Sequence, residues 1–358
     1  MSQSEPNFAV ISGEQVSWVL TGRERAVVDL VEAAYRAHGR GETENPPSCI
    51  HRLPGRPLSR IIALPASLGG DVAVDGIKWV SSFPGNVVSG LPRASAVLVL
   101  NDHETGYPFA CIESSIISAA RTAASATLAA DWLTRGRDRP RTVGFFGAGL
   151  IARYVHTYLA ATGWSFDRIG VYDKSAASAG GFHEYLERSG AGGEVEPHDR
   201  AEDLVRSSDL VVFATVAAMP HVTEIGWFDH DPVVLHVSLR DLAPEILLAS
   251  TNIVDDVDHC LRARTSAHLA EQLAGNRSFV AGTLDEVMTG KLRPKAGERV
   301  IFSPFGLGVL DLMVGKYIYD ELAAAAKLSF VDGFFHDLSR YGPEEKASSV
   351  GGRTLPRR

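Results

Sequence analysis

The segment Val143-Gly-Phe-Phe-Gly-Ala-Gly-Leu-Ile-Ala152 constrains this chain more than any other, together with Ile169-Gly-Val-Tyr-Asp173 about twenty residues later. An apolar run leads into G-x-G-x-x-A, a helical pattern follows, and a second apolar run ends on an aspartate. Strand, tight turn, helix and strand in this order hold a dinucleotide pyrophosphate at a helix N-terminus. Gly147 permits the turn, Gly149 lets the backbone approach the phosphates, and Ala152 lets the helix pack on the sheet. Leu150 and Ile151 fill the first helical turn, whose N–H groups face the anion. A purely structural glycine turn is the competing reading.

The same alternation continues through residues 141–305. Strands are predicted at Arg141–Gly147, Arg168–Asp173, Leu210–Thr215, Val233–Ser238 and Thr251–Asp255, with helices over about 149–163 and Ala176–Ser189. Buried β-branched runs separated by helices predict a Rossmann-type doubly wound parallel sheet. The first 140 residues read differently: an amphipathic helix over Val16–Gly39, strands at Arg60–Pro65, Asp75–Ser81 and Ser95–Asp102, a hairpin turn at Asp102–Gly106, and a long helix over Glu113–Leu133. A further helix is predicted over 307–340.

At 358 residues the chain exceeds a comfortable single core. The predicted class is α/β. An α+β substrate and dimerisation domain begins in residues 1–135, and a nucleotide-binding domain is inserted at 136–306. Helices in 307–345 return to the first domain, and 346–358 form a disordered tail. A net charge of −8 argues against nucleic acid or an anionic membrane as partner. Three widely spaced cysteines give neither a disulfide framework nor a zinc pattern. No apolar run reaches the ~18 residues of a membrane span, and no signal segment is evident, so the expected compartment is the cytoplasm.

Asp173 ends the second strand, where a carboxylate binds the adenosine ribose hydroxyls and disfavours a 2′-phosphate. That favours NAD over NADP, although Lys174 blunts the preference; a strand-end capping role is the alternative. Lys78 lies among apolar residues in Gly76-Ile-Lys-Trp-Val80 and reads either as a snorkelling edge residue or as a group set in a pocket. Arg121 is the only basic position in a helix of small and apolar residues, so it needs an anion: a substrate carboxylate, a cofactor phosphate or a structural partner. Asp241 follows the Val233–Ser238 strand and reads as a proton acceptor or as a helix cap. The histidines show no metal-ligand spacing, and His230 and His236 read as structural. Without a metal site, P-loop or nucleophile elbow, the chemistry falls to a nicotinamide cofactor, with the protein orienting substrate and handling protons.

These residues resemble one known family. Ile77-Lys78-Trp79, Glu104-Thr-Gly-Tyr-Pro108, Arg121-Thr-Ala-Ala124, Gly147-Ala-Gly149 and Asp241 follow the order of the ornithine cyclodeaminase/μ-crystallin family over roughly residues 10–340. Ile77–Pro84, Leu91–Ala96 and Ser114–Ala124 look most like its 2,3-diaminopropionate branch, found in siderophore and peptide-antibiotic pathways. Such enzymes oxidise N-(2-amino-2-carboxyethyl)-L-glutamate with NAD and hydrolyse the product to L-2,3-diaminopropionate and 2-oxoglutarate.

The resemblance implies a catalytic lysine at Lys78, a carboxylate-binding arginine at Arg121 and a proton-accepting aspartate at Asp241. It also implies cofactor contacts from Gly147, Gly149, Leu150, Ile151, Asp173, Thr122 and Thr215, and a homodimer paired through the first domain. The substrate carries three carboxylates, for which Arg52, Arg60 and Arg93 are further candidates; a surface position is the alternative for Arg93. Two departures weaken a direct transfer of cyclodeaminase activity: Pro304 replaces a serine of the family's F-x-S-x-G segment, and Glu245 replaces a lysine. An ornithine cyclodeaminase, an imine reductase or amino-acid dehydrogenase, and a non-enzymatic nucleotide-binding protein remain the alternatives.

Overall fold

The computed structural model describes residues 6–190 and 192–336. The predicted 346–358 tail and the end of the 307–345 segment lie outside the described residues.

The chain opens with β1 (Ala9–Ile11), α1 (Gly13–Leu20) and α2 (Glu24–Gly39). Then come β2 (Thr43–Glu44), β3 (Cys49–Leu53), β4 (Arg56–Leu68), β5 (Val74–Ser82), β6 (Ala94–Asp102), β7 (Pro108–Glu113) and the long α3 (Ser115–Leu133). These strands form a seven-stranded sheet in the order β1-β7-β6-β5-β4-β2, with β3 also pairing β4. The pairings of β2 to β7 are antiparallel, and β1 adds in parallel. Alternation sorts the sheet into two faces. Leu64, Ala66 and Leu68 share one face with Val74, Lys78, Leu98, Leu100 and Ile112, which are almost all buried.

The second sheet contains β8 (Thr142–Phe146), β9 (Arg168–Tyr172), β10 (Glu194–Pro197), β11 (Leu210–Phe213), β12 (Val233–His236), β13 (Thr251–Val254), β14 (Val280–Thr283) and β15 (Val300–Ser303). All eight strands are parallel, in the order β10-β9-β8-β11-β12-β15-β13-β14. From β8 the chain winds outward to β9 and β10, then returns to add β11 and β12 on the other side. The strand order therefore reverses between β8 and β11, and ligands of doubly wound sheets bind at the carboxyl ends there. Helix α4 (Leu150–Ala161) follows β8 and α5 (Ala176–Ser189) follows β9. The predicted mixed α/β class with a Rossmann-type parallel sheet is the observed one.

Two predicted helices are shorter than the sequence suggested. The Val16–Gly39 segment is two helices: Thr21 caps α1 in an extended conformation and Gly22 turns with φ +75° before α2 begins. The periodicity spans this break because both helices bury apolar faces in one core, Val16, Val19 and Leu20 from the first and Val27, Val28 and Val31 from the second. The 307–340 helix ends earlier, as Gly308–Ala324. Ala326 takes φ +52°, and the chain turns back so that Phe330 bridges Ala9 on β1. This last helix lies against β4, β5, β6, α2 and α3 of the first sheet unit.

Candidate active site

The glycine turn sits at the reversal between β8 and β11. Gly147 has φ +97°, and a Cβ there would meet the Ala214 carbonyl oxygen at 2.7 Å, so no larger residue fits. A Cβ on Gly149 would meet nothing within 4 Å, which leaves open space beside the start of α4. Leu150 is exposed and Ile151 half-buried on the first turn. Asp173 Oδ2 accepts from the Ala148 N–H at 2.9 Å and Oδ1 from Ser175 N–H at 2.8 Å. Each oxygen keeps a lone pair for a ribose hydroxyl. A tight turn, open space beside a helix N-terminus and a strand-end carboxylate together fit a dinucleotide. Thr122 Oγ1 donates to the Ser118 carbonyl at 2.7 Å, and Thr215 Oγ1 donates to Asp241 Oδ1, so neither hydroxyl is free in this arrangement.

Lys78 comes from β5 and is 2% exposed. Its Nζ donates to Asp311 Oδ2 at 2.7 Å and to Ser118 Oγ at 3.3 Å. Asp311, wholly buried on the last helix, also faces Arg121 Nε at 3.4 Å through Oδ1. One carboxylate thus bridges two buried cations supplied by a strand and a helix. Desolvation and the neighbouring Arg121 charge lower the Lys78 ammonium to about 8, against the opposing pull of Asp311. Arg121 also packs against Gly306, where φ is +91° and a Cβ would lie 2.4 Å from Nη1. Asp255 fixes this loop by accepting from Phe305 N–H at 2.9 Å and Gly306 N–H at 2.6 Å.

Asp241 follows β12 in a loop where Leu239 adopts φ +69°. Its side chain is fully buried and surrounded by donors. Thr215 Oγ1 and His221 Nε2, the latter at 3.1 Å, face Oδ1; Ser238 Oγ and His236 Nε2, the latter at 3.2 Å, face Oδ2. Burial works to raise its carboxyl, yet the hydrogen bonds from His221, His236 and Ser238 hold it well below the usual carboxylate range. Asp241 is therefore ionised and crowded with donors. His236, read from sequence as structural, belongs to this cluster, whereas His230 binds the Ser208 carbonyl at 2.9 Å.

Two of the three further arginines, Arg52 and Arg60, share one register row, and Arg93 reaches it from the residue before β6. Arg60 on β4 lies directly opposite Arg52 on β3 and Ser82 on β5, and the Ser82 hydroxyl accepts from Arg93 Nη1 at 2.8 Å. Cross-strand partners share a face, and Ser82 shares one with Lys78 by alternation. Four residues of strand, ~13 Å, separate the row from the lysine. Like charges directly opposed weaken a ladder. Arg52, Arg60, Arg93 and Arg240 have no ion-pair partner among the described residues. Burial lowers the Arg60 and Arg93 guanidiniums, helped by Arg52 and Arg60 respectively.

Sequence reasoning missed Asp311 and Ser118. The signal for Asp311 was available: one carboxylate in the apolar run Gly308-Val-Leu-Asp-Leu-Met-Val314, the mirror image of the Arg121 argument.

The dinucleotide-fitting turn, the buried Lys78–Asp311–Arg121 group and the buried Asp241 mark a nucleotide-dependent enzyme, and the relatives make it an NAD-dependent oxidoreductase of amino-acid CH–NH bonds. Comparison with known proteins narrows the class. The description "Ornithine cyclodeaminase/mu-crystallin family" matches residues 14–326, and the chain belongs to that family. A relative from Staphylococcus aureus, N-((2S)-2-amino-2-carboxyethyl)-L-glutamate dehydrogenase, is 28% identical over 302 residues, covering 82% of this chain and 89% of its own. An archaeal alanine dehydrogenase dimer with bound NAD superposes with a TM-score of 0.80 at 25% identity, covering 92% of this chain and 100% of the other. Thermococcus litoralis Δ1-pyrroline-2-carboxylate reductase in complex with NADH and L-proline shares the fold, with a TM-score of 0.83 at 24% identity, 90% coverage here and 100% there.

Proposed function

We propose that this enzyme oxidatively cleaves N-(2-amino-2-carboxyethyl)-L-glutamate to L-2,3-diaminopropionate and 2-oxoglutarate, a building-block step for siderophore or peptide-antibiotic synthesis. The observation that carries this reading is the cluster of Arg52 and Arg60, cross-strand neighbours, with Arg93 bonded to the adjoining Ser82, for which no acidic partner exists among the described residues. A cyclodeaminase acting on ornithine must accommodate a cationic side chain, which such a cluster repels. A substrate with three carboxylates supplies the anions the cluster lacks.

The Gly147–Ala152 turn and Asp173 would hold NAD, which would supply the hydride acceptor when bound. Arg121 grips the carboxylate on the reacting carbon and fixes the face presented to the nicotinamide. The hydride leaves the glutamate Cα with its electron pair, and the secondary amine loses its proton as the C=N bond forms. Lys78 in its neutral form takes that proton, and Asp311 stabilises the resulting ammonium. A low-lying carboxylate saturated with donors is a weak base, so the proton-accepting role moves from Asp241 to Lys78. Asp241 instead orients Thr215, His221 and Ser238 along the crevice, where water adds to the imine carbon. Collapse of that adduct breaks the C–N bond and releases the two products.

The outer face of the first sheet supports a homodimer. Val10, Trp79 and Val97 are 45%, 45% and 41% exposed there, with Ile77, Val99 and Cys111 in the adjoining register positions. Contiguous apolar surface of this kind is an association surface.

The test is NADH absorbance with the pure enzyme, NAD and either the tricarboxylate or L-ornithine. Stoichiometric NADH with the tricarboxylate supports the reading. Proline and ammonia from ornithine, without net NADH, would replace it by cyclodeaminase activity.

A further inference from the structure

The four side chains that face Asp241 are not equivalent. His236 is wholly buried, and both of its ring nitrogens are engaged. Nε2 meets Asp241 through Oδ2 at 3.2 Å and the backbone N–H at 3.1 Å, and Nδ1 meets Ser303 Oγ at 3.3 Å. Ser238 and Thr215 turn their hydroxyls onto the carboxylate. His221 differs. Its Nε2 lies 3.1 Å from Asp241 Oδ1, its side chain is 23% exposed, and Nδ1 makes no hydrogen bond to any described residue. An ionised carboxylate can only accept, so neutral His221 carries its proton on Nε2 and keeps a lone pair on Nδ1. The residue is also braced. Its backbone N–H donates to the Asp241 carbonyl at 2.9 Å, Val222 bridges Leu242, and the ring packs on Phe146 with centroids 5.5 Å apart. Phe146 ends β8 and Asp241 follows β12, so His221 stands at the carboxyl ends of the strands, beside the β8–β11 reversal.

We propose that Asp241 and His221 form a dyad in which His221 Nδ1 is the base that activates water for cleavage of the imine. Nδ1 takes a proton from water as the oxygen bonds to the imine carbon and the C=N π pair passes to nitrogen. The imidazolium, paired with Asp241, returns that proton to the nitrogen. The carbinol O–H proton then follows the same route to nitrogen as the C–N bond breaks, leaving a keto acid and a primary amine. Asp241 stays ionised throughout, orienting the ring and stabilising its charged form. Oxidation and hydrolysis thus use different bases, Lys78 on the first sheet and His221 on the second. The dyad rests on the imine-forming reading given above, but it requires only an α-imino acid and not the particular tricarboxylate.

Two measurements on the full chain test the dyad. The first follows a single turnover of N-(2-amino-2-carboxyethyl)-L-glutamate with NAD. Absorbance reads NADH, and quenching into borodeuteride returns any imine as substrate deuterated at the glutamate Cα. The variant is His221→Gln, whose amide can still donate to Asp241 but offers no basic nitrogen. NADH should form at close to the native rate, while keto-acid release slows about 100-fold or more and deuterated substrate builds up. Imidazole in the buffer should restore part of the release. Unchanged release in His221→Gln overturns the dyad, as does equal slowing of both phases, which marks a structural defect. The second measurement needs no turnover: long-range proton–nitrogen NMR of the histidine rings. Neutral His221 should carry its proton on Nε2, with the preference lost in Asp241→Ala; a proton on Nδ1 in the native protein overturns the dyad. His221-dependent keto-acid release from another amino acid, with no NADH from the tricarboxylate, would leave the dyad standing and remove the substrate assignment. Tricarboxylate cleavage indifferent to His221→Gln would do the reverse.

Discussion

Replacing Asp311 by asparagine should move the enzyme's pH profile downward, because Asp311 favours the charged form of Lys78. The two groups are 2.7 Å apart and both are buried. With charge centres ~4 Å apart and an effective dielectric constant near 20, the attraction is ~4 kcal/mol. At 1.36 kcal/mol per pH unit this corresponds to a shift of about 1–3 units. Lys78 titrates near 8 in the intact site. If its neutral form accepts the proton, kcat/KM rises with pH through that value. In Asp311→Asn the burial and the Arg121 charge remain while the attraction is gone, so the rising limb should fall to between about 5 and 7. The plateau should also drop, since Arg121 loses its 3.4 Å partner. Losing one member of a buried pair costs about 3–5 kcal/mol of stability, so melting curves must accompany the assay. Asp311→Glu, which keeps the charge, should return the limb towards 8 and serves if the asparagine variant is too unstable. The assay is initial-rate NADH formation at fixed ionic strength from pH 5 to 10. A limb that stays at its original pH, or moves upward, refutes the pairing or the role of Lys78.

Other outcomes follow from the same geometry. Lys78→Ala should lower kcat at least ~100-fold while NADH affinity, read by fluorescence, changes less than about twofold; a mild rate effect would remove Lys78 from proton transfer. Gly306→Ala places a methyl 2.4 Å from Arg121 Nη1 at φ +91°, so KM should rise about tenfold or more and the melting temperature should fall; an unchanged KM would mean that Arg121 does not grip substrate. Trp79→Glu puts a charge on the apolar outer face, and light scattering should show a shift from dimer to monomer; a persistent dimer would place the interface elsewhere.

The cofactor half of the site was legible because its demands are local. A turn that tolerates only glycine, a helix starting at once and a strand-end aspartate are contiguous in sequence and leave a periodic signature. The buried lysine and arginine were visible as charges in apolar surroundings. Their shared partner was equally visible in principle, but Asp311 lies 233 residues from Lys78 and only the packing of the last helix on the sheet joins them. The arginine row depended on strand register: Arg52, Arg60 and Ser82 are neighbours only once β3, β4 and β5 are aligned. The helix break at Gly22 was hidden for the opposite reason, since both helices share one core and so continue the same apolar pattern across the turn.

Tracing the reacting hydrogen tests the central claim most directly. N-(2-amino-2-carboxyethyl)-L-glutamate deuterated at the glutamate Cα is incubated with the enzyme and NAD, and the nicotinamide, 2-oxoglutarate and diaminopropionate are measured by mass spectrometry. The account predicts one deuterium in each reduced nicotinamide and equal amounts of unlabelled 2-oxoglutarate and L-2,3-diaminopropionate. Deuterium retained in the substrate, or label in the nicotinamide without release of diaminopropionate, would contradict it.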